Sequence, residues 1–241
     1  MSTDWKVLAE RLATVFGPGP APIAITFTAE PPGSVPTFED PMPERLADGR
    51  TGRVSAGCVF WMKGTERTFS TVAADHANCS VGSVTHGFKT LEDVAGNEDV
   101  AALLECNWVT EDVVPLIPTV QETPGAVTYG PLAETPIDPD VILLRLTGRQ
   151  LMVLHDAWPE LRIEGKPQCH IVALAKEEGA VAASVGCQLS RVRTGMPNAE
   201  VTCAIPAARL ADVAAAAETA AIADQAVASY ASNDMQRFGP V

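Results

Sequence analysis

The stretch "DHANCSVGSVTHG" (residues 75–87) has a worn copy in the same chain, "ASVGCQLSRVRTG" (183–195). Each carries a cysteine followed eight residues later by a glycine, Cys79 to Gly87 and Cys187 to Gly195. The surrounding segments repeat in the same order. "IAITFT" (23–28) aligns with "VILLRL" (141–146), "CVFWMKG" (58–64) with "CHIVALAKEEG" (169–179), and "TFSTVAA" (68–74) with "AVAASVG" (180–186). Short repeats of roughly 20–50 residues mark solenoids. A single long repeat marks two half-domains instead. The order therefore predicts an α+β (mixed α/β) fold of two similar half-domains, produced by internal duplication and related by an approximate two-fold axis.

Working outward, "WKVLAERLATVF" (5–16) has helical apolar spacing, and "PIAITFT" is a β-branched strand. The run 30–53 is rich in Pro, Gly and charge and reads as a loop with a helical turn near "MPERLADG". "SAGCVFWMKG" (55–64) reads as a strand with "ERTFSTVAA" (66–74) as its hairpin partner. "TLEDVAGNEDVAALLE" (90–105) is helical with a break at Gly96 and Asn97. In the second half, "AVTYGPL" (126–132) opens the unit, "PDVILLRL" (139–146) is a strand buried on both faces, and "GRQLMVLHDAWPEL" (148–161) is a helix. "PQCHIVALAKEEGAVAASVGC" (167–187) reads as strand, turn, strand. "EVTCAIP" (200–206) is a strand, and 207–231 is an Ala-rich helix. The expected divisions are an N-terminal helix (1–19), a first half (20–125), a second half (126–206) and a C-terminal helix and tail (207–241), in one compact unit.

The net charge is −13, so the chain repels a phosphate backbone and an anionic membrane surface; nucleic acid and membrane are not expected partners. The N-terminus lacks the pattern of a signal peptide, and no stretch reaches the apolar length of a membrane helix. The expected location is the cytoplasm, where disulfides are rare. Six cysteines then need another reason. The duplication sorts them: Cys58 aligns with Cys169 and Cys79 with Cys187, giving two matched pairs, Cys58 with Cys79 and Cys169 with Cys187, and Cys106 and Cys203 are left over as structural residues. Four thiols near a common axis suit an iron–sulfur cluster or, alternatively, zinc. There is no C-x₂-C spacing, so tertiary structure alone must gather the ligands.

Cys187 and Arg191 are candidate catalytic residues, and Arg191 and Arg193 a clamp for a small anionic ligand in a chain poor in cations. His76 and His170 lie beside the cysteines in sequence and are candidate ligands or proton carriers; His86 sits seven residues after Cys79, beside Gly87, and His155 reads as structural. Phosphate-binding P-loop, Rossmann, zincin and serine-hydrolase signatures are absent from the sequence. The leading expectation is a cytosolic iron–sulfur or other metallocofactor protein acting in redox chemistry or on a small anionic substrate. The alternatives are a metal-free enzyme with Cys79 or Cys187 as nucleophile, and a small-molecule-binding protein. A homo-oligomer is compatible with any of these.

The quoted motifs carry a family resemblance. "CSVGSVTHG", "VTYGPL…PIDPDVILL" and "GCQLSRVRTGMPNAEVTCAIP" resemble the ArCR family, also known as domain of unknown function family 169, over about residues 20–215. Pro139, Asp140, Val141, Gly186, Cys187, Arg191, Ile205 and Pro206 fall on its pattern. Its early cysteines resemble Cys58 and Cys79, and its later glycine-cysteine segment Cys169. The chain departs at Gln188–Ser190, where the family carries a Gly, and at Ser80–Gly82, where it carries Pro-Gly-Gly. The resemblance implies the fold and the cysteine positions, and no activity.

Overall fold

A computed structural model of the chain describes residues 3–39 and 58–239. The helical turn expected near "MPERLADG" lies outside the described residues. Those residues form, in chain order, α1 (Trp5–Phe16), β1 (Ile23–Thr28), α2 (Cys58–Lys63), β2 (Phe69–Thr71), α3 (Ser80–Thr85), α4 (Leu91–Val94), α5 (Glu98–Glu105), β3 (Ala126–Pro131), β4 (Val141–Thr147), α6 (Gly148–Ala157), β5 (Arg162–Glu164), α7 (His170–Glu177), β6 (Ala182–Ser184), α8 (Gln188–Thr194), β7 (Glu200–Pro206) and α9 (Leu210–Phe238). The fold is mixed α and β, as expected.

One seven-stranded sheet runs in the order β2-β3-β1-β4-β7-β6-β5, antiparallel except for the β5–β6 pair. Read outward from the central β1–β4 pair, the two sides match in kind. β3 and β7 flank the centre, and β2 and β6 come next. At the outer edge, β5 joins β6 in parallel, and Thr37 makes a parallel bridge to Ser70 of β2.

The central strands are covered on both faces, which explains their unbroken apolar runs. Side chains alternate across a strand. Val141 and Leu143 of β4, with Ile23 and Ile25 of β1, enter the core packed by α2 and α7. Ile142, Leu144 and Leu146 enter the opposite core, packed by α1, α6 and α9. The result is three layers, helix–sheet–helix. Across β4 and β7, Arg145 grips Glu200 with two hydrogen bonds of 2.8 and 3.0 Å. Helix ends follow their residues: Asp4 accepts from the Val7 amide at 3.1 Å, and Thr147 and Gln150 form a capping box at α6.

Two expectations need correction. The segment around "CVFWMKG" is helix α2, and "HIVALAKE" is helix α7; neither is a strand. The apolar residues of α7 are buried on every side, with Ile171, Val172, Ala173, Leu174 and Ala175 all inaccessible, and α2 buries Cys58, Phe60 and Trp61 with Val59 and Met62 half-buried. Such runs lose the 3.6-residue periodicity that separates a helix from a buried strand. The hairpin expectation falls with them, because β2 pairs with β3. Both segments are helical.

Candidate functional site

Both cysteine phrases fold into one local design. Cys79 is the N-cap of α3, and its sulfur accepts a hydrogen bond from the Gly82 amide at 3.4 Å. Cys187 is the N-cap of α8. Each short helix is followed by a left-handed glycine, Gly87 (φ 79°) and Gly195 (φ 70°). At Gly87 a β-carbon would stand 2.8 Å from the Val120 carbonyl oxygen, so the position has neither the backbone nor the space for a side chain. Cys58 lies in α2 and Cys169 is the N-cap of α7. Cys79, Cys169 and Cys187 thus stand at helix N-termini, where free amides and the helix dipole favour negative charge on sulfur.

These four thiols, from four separate elements, line one small cavity of about 20 Å³. That is room for about one water molecule. Trp108, Gln168, Ser190 and Arg193 complete much of its wall. The thiols are close enough to raise one another's pKa. Burial pushes Cys58 up to about 12, with Cys79 and Cys187 adding to the rise and hydrogen bonding with Ser190 opposing it. Burial also holds Cys169 well above the ordinary thiol range, aided by Cys58, Cys79 and Cys187. Cys79 is raised by burial and drawn back by the Gly82 amide and by Arg193. Among the described residues, no group of three or more His, Cys, Asp or Glu side chains stands in ligand geometry for a metal ion. Ligation by all four thiols therefore requires side-chain adjustment around the cavity.

Several buried polar atoms near this centre have no hydrogen-bond partner. Gln168 lines the cavity; its amide nitrogen donates to Ser190 Oγ at 2.8 Å, while its Oε1 is unpartnered. The Tyr129 hydroxyl is likewise buried without a partner, and Cys58 and Cys169 are near enough to bear on its ionisation. Orphaned groups of this kind cost about 1–3 kcal/mol each.

The two arginines part company. Arg191 hydrogen bonds to three backbone carbonyls, those of Pro197, Val185 (3.0 Å) and Glu200 (2.9 Å), and so ties together the loops around α8. Arg193 makes no hydrogen bond or ion pair among the described residues and faces the cysteines. It also lines an adjoining vestibule of about 450 Å³ with Cys79, Asp99, Leu189 and the exposed Cys106. Asp99 in turn accepts from the amide and hydroxyl of Ser80, at 2.9 and 2.6 Å, and so caps α3.

The cavity wall contains no histidine. His76 and His86 pack against each other instead, ring centroids 5.5 Å apart, among Phe27, Phe60 and Phe88. Burial drives both toward the neutral form, His86 down to about 4. His170 sits 3.6 Å from Glu164. Cys203 is buried in β7 with its thiol raised by burial.

Sequence reasoning missed Gln168, Ser190, Trp108 and Tyr129. Gln168 and Ser190 had a faint signal, lying beside Cys169 and three residues after Cys187. Trp108 and Tyr129 had none, because only tertiary packing brings them near the cysteines.

Among protein-family models, that of the uncharacterised ArCR family (DUF169) matches residues 11–216. No curated protein and no solved structure matches the chain.

Proposed function

The chain belongs to the uncharacterised ArCR family, and from that premise we propose a metalloprotein in which Cys58, Cys79, Cys169 and Cys187 hold a metal centre. One observation carries the reading: four cysteines from four elements line a single cavity, three of them as helix N-caps. Thiolate sulfur is the donor set of iron–sulfur clusters and of structural zinc. The unpartnered Tyr129 hydroxyl supports it, since a phenol donor beside neutral thiols gains a strong acceptor when those sulfurs are ionised. A cluster would supply one-electron redox chemistry. A single tetrahedral ion is the second reading, and the cavity's size of about 20 Å³ favours it, because less rearrangement admits one ion.

In either case this chain's residues have definable tasks. Arg193 offsets part of the negative charge gathered on the sulfurs, and among the described residues it is the cation of a vestibule that Glu98 and Asp99 also line, so an anionic substrate entering there would have to pair with it. Arg191 is a positioning residue for α8 and so for Cys187. The metal-free nucleophile alternative is disfavoured at Cys79, whose burial raises its pKa and suppresses the thiolate. All six cysteines are free thiols, which suits a reducing, cytoplasmic setting. No described helix is long and apolar enough to cross a membrane.

The palindromic strand order also supports descent from a duplicated half-domain. Under that reading β3 (Ala126–Pro131), which the sequence division placed in the second half, goes with the first: β1, α2, β2, α3 and β3 answer to β4, α7, β6, α8 and β7, and each half contributes two cysteines.

The test is metal, iron and sulfide analysis of anaerobically purified protein, with single Cys→Ser variants. The reading expects bound iron or zinc that falls in C58S, C79S, C169S and C187S but not in C106S. Metal-free parent protein, also unable to take up added Zn²⁺ or reconstituted iron and sulfide, refutes it.

A further inference from the structure

A second cavity, of about 460 Å³, lies between α3, α4, α5 and the turn at 114–117, and nothing in the cysteine reading uses it. Its wall is aliphatic: Val84, Val94, Leu103, Leu104, Val109 and Ile117 are among the lining residues. The size lies within the range of about 300–1,000 Å³ typical of small-molecule sites, as does the apolar lining. Its few polar residues are informative. Ser80 is already committed to Asp99 through its hydroxyl. The others are Glu92 and Glu111, and among the described residues no Lys, Arg or His lines the space. Carboxylates without a cation repel an anionic ligand and offer an uncharged one no penalty. Beside the cavity, Val113 and Leu116 are exposed at 42% and 75%, which extends the apolar surface outside it.

We propose that this cavity binds an uncharged, largely hydrocarbon small molecule. The bound molecule lies against Val81, whose side chain is also a wall of the cysteine cavity and of the vestibule. The site therefore adjoins the proposed metal centre without depending on it. The preference for an uncharged ligand separates it from the anion-facing vestibule at Arg193.

The experiment titrates full-length protein with N-phenyl-1-naphthylamine, an uncharged fluorescent probe, and with the anionic 1-anilinonaphthalene-8-sulfonate. Saturable binding of the uncharged probe is expected, with the anionic probe at least tenfold weaker. Ala95 lines the cavity from an exposed position, so Ala95→Trp fills space with little threat to folding. It should weaken the uncharged probe at least tenfold while the thermal melt stays unchanged. Leu104→Gln, which makes the wall polar, should weaken it in the same direction. Absence of saturable binding, equal affinity for the two probes, or undiminished affinity in both variants overturns the proposal. Metal content is measured on the same samples. Metal-free protein that binds the uncharged probe sinks only the cysteine reading; metal-loaded protein that does not bind it sinks only this one.

Discussion

Acid should unfold this protein early, and His86 sets the size of the effect. Its Nδ1 lies 3.0 Å from the Gly82 carbonyl and therefore carries the proton. Its Nε2 is buried with no partner. Protonating Nε2 places a cation in an apolar site beside Phe27 and His76. Burial lowers the pKa from 6.5 to about 4. The unfolded chain takes its proton near pH 6.5, and the folded chain refuses it until about 4. Stability from the neutral imidazole is thus complete above pH 6.5 and is lost as pH falls toward 4. The difference, 6.5 − 4, is about 2.5 units, or about 3 kcal/mol at 1.36 kcal/mol per unit. His76 adds loss of the same sign. Thr71 donates its hydroxyl to the Val127 carbonyl, so it accepts from His76 Nε2–H and leaves the buried Nδ1 bare. The exposed carboxylates Asp93 and Glu218 are held below their ordinary values and begin to matter only below about pH 4.5. Urea denaturation at pH steps from 8 to 4 measures the effect. The His86→Asn variant keeps an amide donor toward Gly82 and removes the titration. Its stability should fall less steeply with pH, by up to one proton's worth of slope. An identical slope in parent and variant would falsify the reasoning.

Other outcomes follow from the packing. Glu200→Ala strands Arg145 in a site where the arginine side chain is only 7% exposed, and should cost about 3–5 kcal/mol by urea denaturation. Gly87→Ala should cost more than Gly195→Ala. Both have a positive φ, worth roughly 1–2 kcal/mol, but only Gly87 would drive a β-carbon to 2.8 Å from a carbonyl oxygen; equal losses would show that the Val120 segment yields freely. Native protein should give about one fast equivalent with Ellman's reagent, from the exposed Cys106, and the other five thiols only in denaturant; a second fast thiol would revive the nucleophile reading.

The segments that could be read from sequence were those with one informative face or one decisive stop. α1 shows a buried stripe of Leu8 and Leu12, and β4 a β-rich run that feeds two cores in alternation. α7 failed because burial on all sides erased its period, and α2 because an apolar run this short shows no period; a run such as "HIVAL" fits either structure. The cysteine phrases were legible because N-cap, short helix and left-handed glycine are local. Arg191 was not: its three carbonyl partners come from loops at 185, 197 and 200, whose convergence depends on where β6 and β7 sit in the sheet. Arg193, two residues on, has the same charge and an unrelated situation, a distinction that sequence spacing does not contain.

The placement of the four cysteines bears on why such a site would need both sides of the sheet. Two thiols make an incomplete ligand set for a tetrahedral ion or a cluster, which takes four. In the duplicated reading each half supplies two, so neither half holds a centre alone. The cavity forms only where α2 and α3 meet α7 and α8 across the central β1–β4 pair. Burial there makes free thiolates costly, as the raised Cys58 and Cys169 show. Under the proposed reading the same burial would shield a neutralising metal from competing water. A mutation that loosens the packing of α2 and α3 against α7 and α8 should then weaken metal retention before it exposes any single cysteine, because the four sulfurs come from both helix pairs.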